Sequence, residues 1–241
     1  MRIGGRETMI NTKRLIERAK TYGVSLDEET AGRIDRFCEA VRITNEQFNL
    51  TAITDPEEME EKNALDCVTV LPYLPSAGKL ADVGTGAGFP GVILKLARPD
   101  LDVTLIEATD KKLQFAVRTA EELGFSVTGV HMRAEEAGRG EYREQFDVVT
   151  SRAVALLPAL LEYTLPLVKV GGKLIAMKGA GGKEEVELAR NALKILGGKV
   201  IGVHELTLPT AGERVILEIQ KEKPCPPKYP RQSKNIRKAS L

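Results

Sequence analysis

Cysteine and histidine are scarce in this chain of 241 residues, which holds three cysteines and two histidines. Cys38, Cys67 and Cys225 are widely spaced and form no CxxC pair, and His131 and His204 build no cluster with them. A disulfide scaffold and a Cys/His zinc site are therefore not expected, no metal is expected, and a reducing cytoplasm is the natural setting. The sequence also lacks any apolar run near the ~20 residues that a membrane span needs. Met1 to Thr12 carries Arg2, Arg6 and Glu7 but no apolar stretch, so neither a secretory signal nor a membrane partner is expected. There is no internal repeat and no low-complexity run. What is present is globular composition, 42% hydrophobic and 29% charged, which argues against long disordered or collagen-like architectures. The length suits one large domain, or one domain with an appendage.

The net charge of +1 hides an asymmetry. From Lys221 to Leu241, seven basic residues (Lys221, Lys223, Lys228, Arg231, Lys234, Arg237 and Lys238) face one acid, Glu222. The rest of the chain is therefore net acidic. A basic tail on an acidic body suits a polyanionic partner, and equally a solvated segment that aids solubility.

Hydrophobic periodicity divides the chain. Ile10, Leu15, Ile16, Ala19 and Tyr22 keep helical spacing, as do Ile34, Phe37, Cys38, Val41, Ile43 and Phe48. Asp55-Pro56-Glu57-Glu58 has the form of an N-cap, a first-turn proline and first-turn acids, so a third helix follows. From Lys79 strands and helices alternate. Strands are expected at 80–83, 103–107, 127–132, 146–150, 172–177, 199–206 and 214–220, with helices through Leu96, over 110–123, 156–168 and 184–196. Such alternation implies βαβ units and a mainly parallel sheet. The last two strands are joined only by Leu208–Gly212, which permits a hairpin and one antiparallel strand. The expected organisation is an N-terminal helical extension (1–76), an α/β domain (77–221) and a basic C-terminal tail (222–241). Seven strands with a terminal hairpin are what the Rossmann-like class I methyltransferase fold requires. A pure dinucleotide-binding domain does not need that ending.

Asp82-Val83-Gly84-Thr85-Gly86-Ala87-Gly88-Phe89-Pro90-Gly91 carries the strongest local signal. Glycines let the chain turn off the strand and approach a ligand closely, and the next helix offers its N-terminus there. Gly86 to Gly91 matches GxGxxG, and Glu107 lies 21 residues beyond Gly86, so an NAD(P)-linked oxidoreductase is a live alternative. The register favours S-adenosylmethionine. Asp82 at the end of the strand would crowd a pyrophosphate, whereas a sulfonium, an ammonium and a ribose diol welcome acids at the ends of the first two strands. On this reading Asp82 attends the methionine end and Glu107 accepts from the ribose hydroxyls, with Gly84, Gly86 and Gly88 shaping the loop. Ala134 and Glu135, just after the third strand, suit adenine.

Methyl acceptors leave different marks. Pyrimidine C5 methylation needs a nucleophilic cysteine. Cys225 lies past the last strand and reads as a linker residue, while Cys38 and Cys67 fall on helix faces as core residues. Exocyclic amine methylation typically uses an Asn/Asp-Pro-Pro-aromatic loop after strand four, where this chain has Ser151-Arg152-Ala153-Val154. A ring nitrogen such as guanine N7 carries a free lone pair and needs no base, so placement suffices. Arg152 suits a grip on guanine O6 or phosphate, or a plain strand-end salt bridge. Lys178 suits an RNA phosphate, or a solvated strand end.

Phe48-Asn49-Leu50-Thr51-Ala52-Ile53, Asp55–Met59, Leu65-Asp66, Asp82–Gly91, Ser151-Arg152-Ala153, Met177-Lys178-Gly179, Gly212-Glu213-Arg214 and Lys228-Tyr229-Pro230-Arg231 occur in that order. Together they resemble the RsmG family, also called glucose-inhibited division protein B, over nearly the whole chain. The resemblance implies methylation at N7 of guanine 527 in the 530 loop of bacterial 16S rRNA, with rRNA or the small ribosomal subunit as partner and a monomeric, cytoplasmic enzyme. It implies cofactor contacts at Gly84, Phe89, Ala134, Glu135 and Arg152, with Arg152 as the catalytic candidate. Lys178 and the tail residues Lys228, Arg231, Lys234, Arg237 and Lys238 are the RNA candidates. The family usually has histidine where Asn63 stands and serine where Cys67 stands, and the tail lacks the usual Gly-Thr-Pro stretch. Asn63 keeps a non-catalytic rRNA-binding or assembly protein in view as an alternative.

Overall fold

The computed structural model describes residues 8–241, so Arg2, Arg6 and Glu7 lie outside the described residues. Helix α1 (Thr12–Thr21) starts at Asn11, whose side chain accepts from the Arg14 amide. Helix α2 (Glu28–Asn45) starts at Asp27, which accepts from the Thr30 amide, and Glu28 and Glu29 complement its first turn. The predicted third helix opens as α3 (Pro56–Glu58), with the Asp55 carboxylate accepting from the Glu57 and Glu58 amides. It then widens into a π-helical turn, Met59–Leu65, before closing as α4 (Asp66–Val68).

The α/β part runs β1 (Gly78–Val83), α5 (Gly91–Ala97), β2 (Leu101–Glu107), α6 (Asp110–Glu122), β3 (Thr128–His131), α7 (Ala134–Ala137), β4 (Phe146–Arg152), α8 (Leu157–Thr164), β5 (Val168–Gly179), α9 (Gly182–Leu188), α10 (Arg190–Leu196), β6 (Gly198–Leu208) and β7 (Gly212–Lys221). The seven strands form one sheet in the order β3-β2-β1-β4-β5-β7-β6. Strands β1 to β5 pair in parallel, and β7 is antiparallel to both β5 and β6. This is the expected class I methyltransferase sheet.

Some boundaries differ from the sequence reading. Strand β4 runs on through Arg152, so Ser151 and Arg152 belong to the sheet rather than to a following loop. Helix α8 stops before Pro166, which has no N–H to continue the helical ladder. The helix expected over 184–196 is two helices, broken at Ala189. The short α7 was not anticipated.

Alternation along β1 sends Leu80 to one face of the sheet, and Ala81 and Val83 to the other. On the first face the N-terminal helices bring Leu15, Ile34, Phe37 and Val41 into one continuous core with α5 and α6. On the second face α8 and α10 pack with Cys225 and Tyr229 of the tail. The tail is therefore docked rather than solvated. Its helix α11 (Ser233–Lys238) lies on α8, with Ile236 buried. Cys225 is corrected from a linker residue to a buried anchor: its thiol donates to the Leu196 carbonyl and its amide to Glu144. Among the described residues, no helix is long and apolar enough to cross a membrane, and no group of three His, Cys, Asp or Glu residues is placed to hold a metal.

Candidate functional site

Chain connections diverge between β1 and β4, running from β1 to β2 on one side and from β4 to β5 on the other. In open α/β sheets the crevice at the carboxyl ends of such strands is where ligands bind. Two cavities open there, and consecutive residues from the end of β4 onward divide them. Val154 and Ala155 line the first, while Arg152 and Ala153 line the second. Ala153 is held at φ +57°, a left-handed conformation that costs a residue with a Cβ of order 1 kcal/mol or more.

The first cavity has a volume of about 290 Å³. Gly84, Glu107, Ala134 and Glu135 line it, together with Val154, Ala155, Tyr163, Ser233 and Arg237. Gly84 turns the chain off β1 at φ +71°, and its amide donates to the Ile106 carbonyl over 2.8 Å. A Cβ there would lie 2.5 Å from Val154 Cγ2, across the cavity wall. Glu107 reaches under the glycine loop. Its Oε2 accepts from the Gly86 amide at 3.0 Å and its Oε1 from the Thr109 amide at 2.8 Å. A carboxylate has about four acceptor sites, so roughly two remain for a ligand.

The acid that lines the first cavity is thus Glu107, not Asp82. Asp82 is fully buried beneath the loop and lines neither cavity. Its carboxylate accepts from the Gly91 amide at 2.9 Å and from Thr150 Oγ1 at 3.1 Å, tying the start of α5 to β4. Burial pushes this carboxyl up to about 6, against the pull of those donors. Gly88 also faces inward. At φ +105° its added Cβ would come within 2.8 Å of Phe37 and Val92, so this glycine serves packing. Phe89 is 5% exposed and packs edge-on against Phe37 with ring centroids 5.2 Å apart. Its other neighbour is the Arg152 guanidinium, 5.5 Å from the ring centre.

The second cavity, of about 400 Å³, holds Lys62, Asn63, Asp66, Arg152, Lys178, Glu185 and Arg214. The π-helical turn and α4 present their polar groups to Arg152. Arg152 Nη1 donates to the Lys62 carbonyl (2.7 Å) and to Asp66 Oδ2 (3.2 Å), and Nη2 donates to Asn63 Oδ1 (2.7 Å). Arg214 Nε stands 3.5 Å from Asp66 Oδ1. Burial pushes the Asp66 carboxyl up despite both arginines. Lys178 is mostly buried, donating to the Ala155 carbonyl and pairing with Glu185, each at 2.7 Å. It is a wall of this cavity rather than a free strand-end cation. Cys67, near Arg152, is wholly buried, and that burial pushes its thiol up to about 12. It is no nucleophile at neutral pH.

The predicted site residues therefore separate. Gly84, Glu107, Ala134 and Glu135 come together in the first cavity; Arg152 and Lys178 come together in the second; Asp82, Gly88 and Phe89 support the loop from below. Gly86 meets the site through its amide on Glu107. Of the tail candidates, Lys228, Lys234 and Lys238 are exposed. Arg231 is not free for phosphate, because its guanidinium makes a two-point pair with the fully buried Glu162 at 2.8 and 2.6 Å. Arg237 lines the first cavity. Sequence reasoning assigned no role to Asp66, Glu185, Arg214 or Ser233. Only Asp66 and Arg214 fall within the family motifs; Glu185 joins them in the second cavity and Ser233 lines the first, contacts that the fold makes between segments distant in sequence.

A family model described as rRNA small subunit methyltransferase G matches residues 31–215. A ribosomal RNA small subunit methyltransferase G from Acetivibrio thermocellus is 44% identical over 225 residues, covering 92% of this chain and 93% of that protein. One from Lactobacillus delbrueckii subsp. bulgaricus is 48% identical over 204 residues, covering 82% and 85%. Among solved structures, TYW2 of M. jannaschii, crystallised in complex with AdoMet, superposes with a TM-score of 0.51 at 13% identity, covering 61% of this chain and 70% of that one. At that identity the likeness is one of fold.

Proposed function

Because the chain belongs to the rRNA small subunit methyltransferase G family, we propose that it transfers the methyl group of S-adenosylmethionine to N7 of a guanine in the 530 loop of bacterial 16S rRNA. The observation that carries this reading is the pair of cavities meeting at Ala153–Ala155, one faced by the acids Glu107 and Glu135, the other by Arg152, Lys178 and Arg214.

The first cavity suits S-adenosylmethionine by its donor set. Glu107 has acceptor capacity left for a ribose diol, and Ala134 and Glu135 flank the place for adenine. When bound, the cofactor supplies an electrophilic methyl group. A dinucleotide suits the cavity less well, because Glu107 already occupies the Gly86 amide and sets a negative charge where a pyrophosphate would lie. The antiparallel β7 also departs from an all-parallel dinucleotide fold.

The second cavity suits the acceptor base. Arg152 is held at three points, with N–H groups left to hold guanine O6 while N7 stays free. Attack by N7 releases no proton, so Asp66 serves to orient Arg152 and Arg214 rather than as a base. Asn63, where the family usually has histidine, accepts from Arg152 and so performs the orienting task with an uncharged group.

Arg152→Ala tests the division of labour. Methyl transfer should fall by about 100-fold or more, as for loss of a charged hydrogen bond in a desolvated site. The affinity for S-adenosylmethionine, measured calorimetrically without RNA, should change less than about threefold. A variant that loses cofactor affinity in step with activity would contradict the two-cavity reading.

A further inference from the structure

The first cavity has a wall that the methyltransferase core does not supply. Ser233 and Arg237 of α11 line it beside Tyr163 and Ala159 of α8. The segment that brings them there is firmly tied down. Lys221, wholly buried, donates to Glu144 (2.7 Å) and to the Leu165 carbonyl (2.9 Å). Arg143 donates to the carbonyls of Cys225 and Tyr229, each at 2.7 Å. Arg231 clamps Glu162 through both its backbone and its side chain. Tyr229 and Ile236 are buried.

Two arginines six positions apart then meet opposite fates. Arg231 is neutralised by Glu162. Arg237 has no carboxylate within ion-pair distance among the described residues. Its Nε and Nη2 donate to Ser233 Oγ at 3.2 and 3.0 Å, and the Tyr163 hydroxyl lies 3.3 Å from the same oxygen. These contacts take two of its five N–H donors, leaving a planar, uncompensated cation at the cavity's rim. Within the cavity lining, α11 lies on α8, and α8 packs against α7, which carries Ala134 and Glu135. Gly84 belongs instead to the loop after β1, and Glu107 to the end of β2. The cationic sulfonium and ammonium of a bound ligand are disfavoured next to Arg237. A purine is favoured, since a guanidinium stacks on its face or donates to its ring nitrogens.

We propose that Arg237, held by Ser233 and Tyr163, binds the adenosine part of the ligand in the first cavity, so that the C-terminal helix completes the cofactor site. This rests on the reading of that cavity as the cofactor site.

The test is calorimetry on the full chain without RNA, using S-adenosylhomocysteine and 5′-methylthioadenosine, which lacks the amino-acid end. Arg237→Ala should weaken both probes by about tenfold or more, the range expected for a lost charged contact. Arg237→Lys should lie between, and Ser233→Ala should weaken both less. Affinity for a 16S rRNA fragment should change less than about twofold. Melting curves check folding, and Arg237→Gln replaces any variant that fails to fold. Wild-type binding with unchanged affinity in Arg237→Ala overturns the inference and leaves the cofactor reading standing. A loss for S-adenosylhomocysteine alone overturns the adenosine assignment. A wild-type chain that binds neither probe overturns the cofactor reading and this inference together.

Discussion

Asp82 and Glu107 show how carboxylates at neighbouring strand ends serve two purposes. Glu107 is partly exposed and lines the cavity, whereas Asp82 is sealed below the loop. The sealed one has a measurable signature. Its carboxyl is pushed from 3.8 to about 6 by burial. Between those values the folded chain holds a proton that the unfolded chain has released. Stability therefore falls as pH rises from about 4 to about 6, by up to about 3 kcal/mol for a shift of two units. Asp82→Asn cannot titrate. Its urea-unfolding free energy relative to wild type should therefore climb by up to that amount between pH 4 and pH 7. A pH-independent difference would show that Asp82 is not the buried acid described here. Residues further from the site, such as Glu218 and Asp147, are held below the ordinary carboxylate range by Lys173 and Lys169 despite burial, and pull the wild-type profile the other way. The comparison with the variant isolates Asp82 from them.

At the scale of elements, the π-helical turn is the joint between the helical N-terminus and the second cavity. Glu61, on that turn, accepts from the Thr210 amide and hydroxyl and the Ala211 amide through one oxygen, and from Arg18 through the other. The Ala211 carbonyl in turn accepts from Arg214, which faces Asp66. Glu61→Ala should destabilise the fold by about 2–3 kcal/mol, since several charge-assisted bonds are lost. It should also weaken rRNA binding several-fold and leave cofactor affinity within about twofold. Melting curves and two binding titrations check this, and loss of cofactor affinity alone would contradict it. None of this joint was legible in the sequence. The Asp55-Pro56 start was readable because caps are local, but a widened turn leaves no residue-type signature, and Glu61 meets a loop 149 residues away. The strand, glycine loop and helix over 80–97 were legible because a buried strand, a turn and a helix start each impose local residue choices. The tail was misread for the opposite reason. Its charge is visible in sequence, but Glu162, the buried partner that neutralises Arg231, lies 69 residues earlier on a helix that reads as apolar.

The whole molecule presents two cavities along one edge of the sheet, the first with Glu107 and Glu135 beside Arg133 and Arg237, the second with Lys62, Arg152, Lys178 and Arg214 outnumbering Asp66 and Glu185, and a docked basic tail. Only part of the tail's charge remains available outward. Lys228, Lys234 and Lys238 are exposed, Arg231 is paired with Glu162, and Arg237, also exposed, lines the first cavity. Replacing the three lysines with alanine should lower the salt dependence of rRNA binding by about two in log–log slope, at roughly 0.7 per phosphate contact. Thermal stability and cofactor affinity should not move. An unchanged slope would mean that these lysines face solvent rather than RNA. Arg231→Ala should behave differently, lowering the melting temperature because it strands Glu162, a buried charge whose unpairing costs about 3–5 kcal/mol.

The decisive assay offers tritiated S-adenosylmethionine and this protein to small ribosomal subunits from cells that lack their own version of the enzyme, then maps the labelled nucleotide. Label is expected at N7 of a single guanine in the 530 loop, lower by about 100-fold or more with Arg152→Ala. Label on another nucleotide or atom would contradict the acceptor assignment. No label on naked rRNA or assembled particles, with cofactor binding demonstrated, would contradict 16S guanine methylation altogether.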